Sequence, residues 1–385
     1  MSKVFIFNPG SEETWHLPAM SSYTPPRLVQ RMMEDLSPML RVLGNPGDVV
    51  YVPGEKEPLY LECGITARDF VNDTYLPNPS LHSILPIELD FWAPQLCAQQ
   101  TFVRTISKVF GQVKYSERPS HLKELVHRRT AARLMSYLSQ RLHLPEYLTA
   151  QEIESLDDLP RIVELLGHKL IAKIPFSSSG RGVFPFDYPL RAEDKTLLSN
   201  LLKRGSSLMV EKRLPIKQDF ATEWKIVDGK CCFLGYSYFQ TTQGGSYTGN
   251  VLMSQEQIKD SLFYGLPKCS GDKILDVSKD FIQEHIAPYY EGYLGIDALI
   301  YYDEKGNLSC YPAVEINLRK TMGYLAIELY NRLIAKGCKA SFVVAPGIFD
   351  NLDPEFDDSG RLKRGRLNIG SNLSNRSFSA YIEII

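Results

Sequence analysis

The 385-residue chain has no apolar run approaching the length of a bilayer span, so a helical membrane protein is not the expected class. It opens with Met1-Ser-Lys-Val-Phe-Ile-Phe, which reads as a strand rather than a secretory leader, and a cytoplasmic location is the expectation. An excess of charge of either sign is also missing. Lysine and arginine number 43 against 45 aspartates and glutamates, a net −2, which leaves no electrostatic footprint for nucleic acid. The densest basic cluster, Arg361-Leu-Lys-Arg-Gly-Arg366, lacks interleaved aromatics and reads as a solvated turn. Cysteine is sparse and odd in number, seven in all. The residues are scattered apart from Cys231-Cys232 and lack metal-ligand spacing, so free thiols are expected. The seven histidines are equally dispersed, and only His127 falls near a segment of interest. There is no internal repeat, no low-complexity tract, no Gly-x-Gly-x-x-Gly turn and no Gly-Lys-Ser/Thr phosphate loop.

What is present is a globular composition, 44% apolar and 23% charged, long enough for two or three domains. The first residues alternate in a β-α-β order: a strand from Lys3 to Asn8, an amphipathic helix from Pro25 to Leu43 and a strand from Asp48 to Pro53. This small α/β domain is expected to end in Glu117-Arg-Pro-Ser120, where the serine can cap the next helix. Within it, Leu89-Asp-Phe-Trp-Ala-Pro94 suits either a substrate wall or the packing of a domain joint. The tail from Pro346 reads as loop-rich, closing with a strand from Ser377 to Ile384.

Three segments carry chemistry. Tyr293 to Asp303 and Leu308 to Ile316 read as two strands joined by the Glu304-Lys-Gly-Asn307 turn, which brings Asp297 beside Glu315 and Asn317. Residues two apart on a strand share a face, so Glu315, Asn317 and then Arg319 point one way. Hard oxygen donors on rigid strands with an arginine beside them suit magnesium bridging phosphates. Lys169-Leu-Ile-Ala-Lys173-Ile-Pro175 is a short apolar strand with a lysine, followed by Phe176-Ser-Ser-Ser-Gly-Arg-Gly182, whose hydroxyls and amides can fold over an anion or simply tip a surface hairpin. Ser207-Leu-Met-Val-Glu211-Lys-Arg-Leu214 is a third strand, leading through a proline to Glu223 on the next.

The joint order of these segments resembles the ATP-grasp family over about residues 120 to 340. The resemblance implies an α/β fold in which a small N-terminal domain (1–119) precedes two α+β subdomains that sandwich ATP, a small lid subdomain (120–210) and a large subdomain with the metal site and tail (211–385). It implies Lys173 as the phosphate lysine and Ser178, Ser179, Gly180, Arg181 and Gly182 as the mobile covering loop. Glu211, Lys212 and Leu214 become the adenine hinge, Glu223 the ribose acid, Asp297, Glu315 and Asn317 the metal ligands, and Arg319 the phosphate arginine. Leu125 to Leu134, ending in His143-Leu-Pro145, resembles the opening helix, whose cation is Arg128 or Arg129, with Arg129 favoured. Some family ligases carry an arginine two residues before the metal aspartate. Here Gly295 stands there, a departure from the D-alanine ligase branch.

The activity so implied is ATP-dependent carboxylate-amine ligation through an acyl phosphate, with ATP and Mg2+ or Mn2+. Its partners are a small-molecule carboxylate and an amine, with no nucleic acid or membrane, and a homo-oligomer stays open. A small-molecule kinase on the same fold and a nucleotide-binding regulator are the alternatives. The amides near Thr321 to Gly323 suit a substrate carboxylate, and the polar stretch Gln240 to Asn250 suits a substrate-facing loop or a plain hairpin.

Overall fold

The computed structural model describes residues 2–10, 14–15, 24–54, 58–72, 87–94, 96–115, 121–177, 182–242, 247–266 and 271–385. The N-terminal part contains β1 (Ser2–Ile6), α1 (Arg27–Leu36), β2 (Val49–Val52), β3 (Leu59–Glu62), β4 (Ile87–Phe91), α2 (Leu96–Phe110) and β5 (Val113–Lys114). Its sheet has the order β3-β2-β1-β4-β5, parallel except for the β2–β3 edge. The long helix expected up to Leu43 stops at Leu36. Pro38 cannot donate to the α ladder, and Ser37–Leu43 continues as a buried 3-10 turn.

Next come α3 (Leu122–Val126), α4 (Arg129–Leu142), β6 (Gln151–Ile153), α5 (Leu159–Leu166), β7 (Lys169–Lys173), β8 (Val183–Asp187), α6 (Ala192–Gly205) and β9 (Leu208–Lys212). The four strands form an antiparallel sheet, β6-β9-β7-β8, with a core of its own that includes Ile162, Leu166, Leu170, Ala172, Leu198 and Val210. Alternation along β7 sends Leu170 and Ala172 into that core and leaves Ile171 and Lys173 on the opposite face. Helix α4 lies elsewhere. Its buried stripe of Ala131, Leu134, Met135 and Leu138 packs with Trp224, Phe281, Leu294 and Ile316 of the following part.

The remainder holds β10 (Ile216–Val227), β11 (Lys230–Thr241), β12 (Tyr247–Leu252), α7 (Gln255–Phe263), α8 (Gly271–His285), β13 (Gly292–Tyr302), β14 (Leu308–Asn317), α9 (Met322–Leu333), β15 (Ala340–Pro346), β16 (Leu352–Phe356), β17 (Leu362–Asn368) and β18 (Phe378–Ile384). All nine strands join one antiparallel sheet in the order β14-β13-β10-β11-β12-β15-β18-β17-β16. The tail expected to be loop-rich therefore corrects to sheet. Asp357-Asp358-Ser359-Gly360 is the turn of the β16–β17 hairpin, with Gly360 at φ +77° and Asp357 N donating to Arg361 O at 2.8 Å.

One continuous core joins the N-terminal part to this large sheet. Phe5, Leu36, Met39 and Leu40 pack with Leu325, Leu329, Phe342 and Ile382. Among the described residues no helix is long and apolar enough to cross a membrane.

Candidate active site

The four-stranded sheet, the large sheet and the N-terminal part enclose a cleft of about 560 Å³, a size suited to a small ligand. Its floor is set by strand register. Asp219 stands opposite Phe239 and Leu299; Ala221 opposite Ser237 and Asp297, with Asp297 opposite Glu315; Glu223 opposite Gly295, with Gly295 opposite Asn317. Directly paired residues share a face, so these form three successive rows about 7 Å apart along β10.

The second row, with Asp297 and Glu315, and the third, with Asn317, bring together the expected metal-site residues. Asn317 Nδ2 donates to Asp297 Oδ2 at 3.1 Å, and Arg319 Nη2 donates to Asn317 Oδ1 at 2.9 Å. Burial and the like charge of Glu315 push the Asp297 carboxyl up from its ordinary value. Two opposed carboxylates and an amide are a donor set that a hard cation would relieve, and Mg2+ takes such a partial set because phosphates and water fill its remaining positions. No group of three or more His, Cys, Asp or Glu side chains with metal-site geometry exists among the described residues, so the set stops at these donors.

Above the floor, Lys173 and Glu211 form a buried ion pair across β7 and β9. Lys212 turns outward, its Nζ 2.8 Å from Glu304 and 4.3 Å from the Tyr147 ring centroid. The hinge backbone is pinned by Arg213 N donating to Lys169 O at 2.9 Å, and Leu214 lines the cleft. Of the two candidate arginines, Arg128 enters the cleft and Arg129, favoured on sequence, turns away. Arg128 Nη1 lies 2.7 Å from Glu315 Oε2, while its Nε donates to Ile174 O at 3.0 Å and its Nη2 to Ser177 Oγ at 3.0 Å. Arg129 instead pairs with Glu152 at 2.8 Å and Glu124 at 3.4 Å. The reason is positional: Arg128 is the N-cap residue of α4, at the mouth of the cleft, and Arg129 begins the helix one step around its axis. Ser178, Ser179, Gly180 and Arg181 lie outside the described residues. Gly182 and Ser177 bracket them, and Ile174 N donates to Gly182 O at 3.0 Å to close the base of the loop. A side chain on Gly182 would collide with Ile174 and Ser177.

Glu223, the expected ribose acid, sits past the Asp297–Glu315 row from the Lys212–Leu214 segment, 1% exposed, accepting from Thr321 Oγ1 at 2.7 Å and from Ser237 Oγ at 3.3 Å. Its carboxylate occupies the N-terminus of α9, where the sequence suggested a substrate carboxylate. A Cβ on Gly323 would run into Glu223 Oε1, and one on Gly295 would come within 2.9 Å of Oε2. Gly295 and Gly323 thus make room for an acid.

On the other side of the Asp297–Glu315 row stands Asp219, which accepts from Thr241 Oγ1 at 2.9 Å. Asp219, Ala221 and Glu223 alternate on one face of β10, a pattern that already sets two acids on the cleft floor. His127 is a packing residue, accepting from Arg129 N at 3.0 Å and set edge-on to Phe176 at 5.1 Å. Trp92 does line the cleft, against Phe7.

No protein-family model and no curated protein matches the sequence. Solved structures similar in backbone form include N5-carboxyaminoimidazole synthetase from Staphylococcus aureus, 11% identical over 100% of this chain and 93% of that one at a TM-score of 0.47. Biotin carboxylase from Campylobacter jejuni, in a complex with β,γ-ATP, is 11% identical over 77% and 71% at 0.48. D-alanyl-alanine synthetase A from Vibrio cholerae O1 biovar eltor is 9% identical over 84% and 89% at 0.42. In this chain two α+β units face each other across the cleft, with Lys173 on a strand of the smaller and Asp297, Glu315 and Asn317 on strands of the larger.

Proposed function

We propose that the protein is an ATP-dependent carboxylate-amine ligase working with Mg2+, for which Mn2+ can substitute. The observation that carries this is the convergence, in one cleft, of the Asp297–Glu315 row and Asn317 with three cations, Lys173, Arg128 and Arg319. Mg-ATP supplies the phosphoryl group that turns a substrate carboxylate into an acyl phosphate, which an amine then attacks with release of ADP and phosphate.

The chain's own residues position and neutralise. Asp297 and Glu315 hold the metal, and the Asn317 amide is oriented for it by Asp297 and Arg319. Lys173, Arg128 and Arg319 bring positive charge to the phosphates, and in a site screened from water that charge counts for more than it does in solution. Main chain from Lys212 to Leu214 lines the adenine end. Asp219 is assigned to the ribose hydroxyls, on its place between the hinge and the metal row. The Ser/Gly loop, with Arg181, is assigned to covering the phosphates. Cytoplasm, where ATP is abundant, is the location that goes with this chemistry, and the partners are small molecules.

The test is ADP release from Mg-ATP in the presence of pooled amino acids, dipeptides, polyamines and hydroxy acids, with mass spectrometry of the products. A pool-dependent burst and a new mass equal to acid plus amine minus water establish ligation. A product heavier than one pool member by a phosphoryl group alone replaces the ligase by a kinase, and tight nucleotide binding without stimulated turnover replaces it by a nucleotide-binding regulator.

A further inference from the structure

Beyond the metal row the cleft changes character. The wall contributed by the N-terminal part is apolar, with Phe7, Met32, Leu36 and Trp92, and Val344 faces them from the large sheet. Among the described lining residues the cations are Arg128, Lys173, Lys212 and Arg319; the first three pair with Glu315, Glu211 and Glu304, while Arg319 donates to Asn317, in the row of Glu223, and acts on that acid through space. Past the Asp297–Glu315 row the acid among the described lining residues is Glu223.

The groups around Glu223 are oriented as acceptors. The Thr321 and Ser237 hydroxyls spend their protons on its carboxylate, and Thr321 also accepts from Tyr324 N at 2.9 Å. Two donors leave a carboxylate with lone pairs to spare, and Ser237 keeps its own. Carboxylate and hydroxyl oxygens together match a group that only donates. An ammonium carries three donors and no acceptor; a carboxylate carries only acceptors and would meet like charge here.

We propose that this end of the cleft binds the amine co-substrate by its amino group, with Glu223 as the ion-pair partner and the Phe7, Met32, Leu36 and Trp92 wall enclosing an apolar or aromatic body. The substrate class is therefore a primary amine on a hydrophobic group, with no free acid next to the amine. Ligase chemistry is taken from the function proposed above; the amine preference stands on the pocket itself. Burial, with the like charge of Asp297 adding to it against the hydroxyl donors and the more distant pull of Arg319, pushes the Glu223 carboxyl up to about 8, the mark of a buried acid without a full counter-charge. Placement fits as well: one row past Asp297 and Glu315, about 7 Å along the strand, is where a nucleophile must wait for a carboxylate activated at the metal row.

The experiment is calorimetric titration of the full chain, loaded with Mg2+ and the non-hydrolysable analogue AMP-PNP, with 2-phenylethylamine, N-acetyl-2-phenylethylamine and 3-phenylpropionate. The amine should bind about tenfold or more tightly than the other two, the discrimination expected of a charged hydrogen bond. Glu223→Gln should erase that preference and leave AMP-PNP affinity unchanged. Met32→Lys, which adds a cation to the wall, should turn the preference toward 3-phenylpropionate, and it serves if Glu223→Gln does not fold. No binding of the amine, equal binding of all three, or a preference that survives Glu223→Gln overturns the inference. Failure of the wild type to bind Mg-AMP-PNP would instead remove the ligase function, and the amine preference is then measured on the protein alone.

Discussion

In the half of the cleft proposed for the nucleotide Lys173 faces Glu211 and Arg128 faces Glu315, whereas in the half proposed for the amine Glu223 faces hydroxyls and an apolar wall. The charges of the first half are already neutralised by one another. Under the proposed function binding there would exchange partners: Lys173 and Arg128 would leave carboxylates for phosphates, and Glu315 would leave an arginine for a cation. Because buried ions stay paired throughout, neither state carries an isolated buried charge. In the other half Glu223 has hydroxyl donors and the through-space pull of Arg319, and its carboxyl stays raised, so discrimination there falls on a guest that brings positive charge.

This contrast is sharpened by substitution. The largest effect is expected from Glu315→Gln, which should lower ADP release by about a thousandfold or more while near-ultraviolet circular dichroism stays native. Arg128→Ala should cost about a hundredfold in turnover, whereas Arg129→Ala should change it by no more than about twofold, since its partners lie outside the cleft. Equal effects at the two arginines would break the contrast. Lys173→Ala should abolish turnover and also destabilise the fold by about 3 kcal/mol, because it strands Glu211 as a buried acid. The double variant Lys173→Met with Glu211→Leu should regain most of that stability in denaturant titrations without regaining activity. Asp219→Asn should raise the KM for ATP about tenfold with a smaller change in kcat.

The smallest effect is the pH dependence of stability. Glu223 has its carboxyl raised from 4.5 to about 8 in the fold, chiefly by burial, with Thr321, Ser237 and Arg319 pulling it down and Asp297 pushing it up. A raised folded value means the native state holds the proton more tightly. Its stabilising contribution is therefore full below 4.5, is lost as pH rises, and is gone above about 8. The melting temperature of the wild type should fall relative to Glu223→Gln as pH is raised through that window, and parallel curves would show that the acid is not protonated in the fold.

The nucleotide half was legible in the sequence because its residues are fixed by two-residue alternation and by pairing across a short turn. Asp297, Glu315 and Asn317 needed only the Glu304-Lys-Gly-Asn307 hairpin to be brought together. Lys173 needed only a strand with Leu170 and Ala172 on its other face. Arg128 and Arg129 were harder, since adjacent residues on a helix differ by a large rotation and the choice depends on where the helix starts. The acceptor half was illegible for a different reason. Phe7, Met32 and Trp92 come from separate elements of the N-terminal part, and nothing local says that they meet Val344 and Gly323. The tail misled because Asp357-Asp-Ser-Gly360 is loop chemistry in either case, and only pairing with β18 reveals the strands on both sides of it.

The core shared by Phe5, Leu36 and Met39 with Leu329, Phe342 and Ile382 has a mechanical meaning. The first and third stretches of sequence share packed interior, and parting them would tear it open, whereas the four-stranded sheet keeps an interior of its own and meets the rest through Tyr147, Phe176 and Leu214 and through the Arg128–Ile174 contact. The pocket beside Glu223 is bounded by the two stretches that share an interior, so its width is held by packed core. Its small guest is sized against a standard that does not yield.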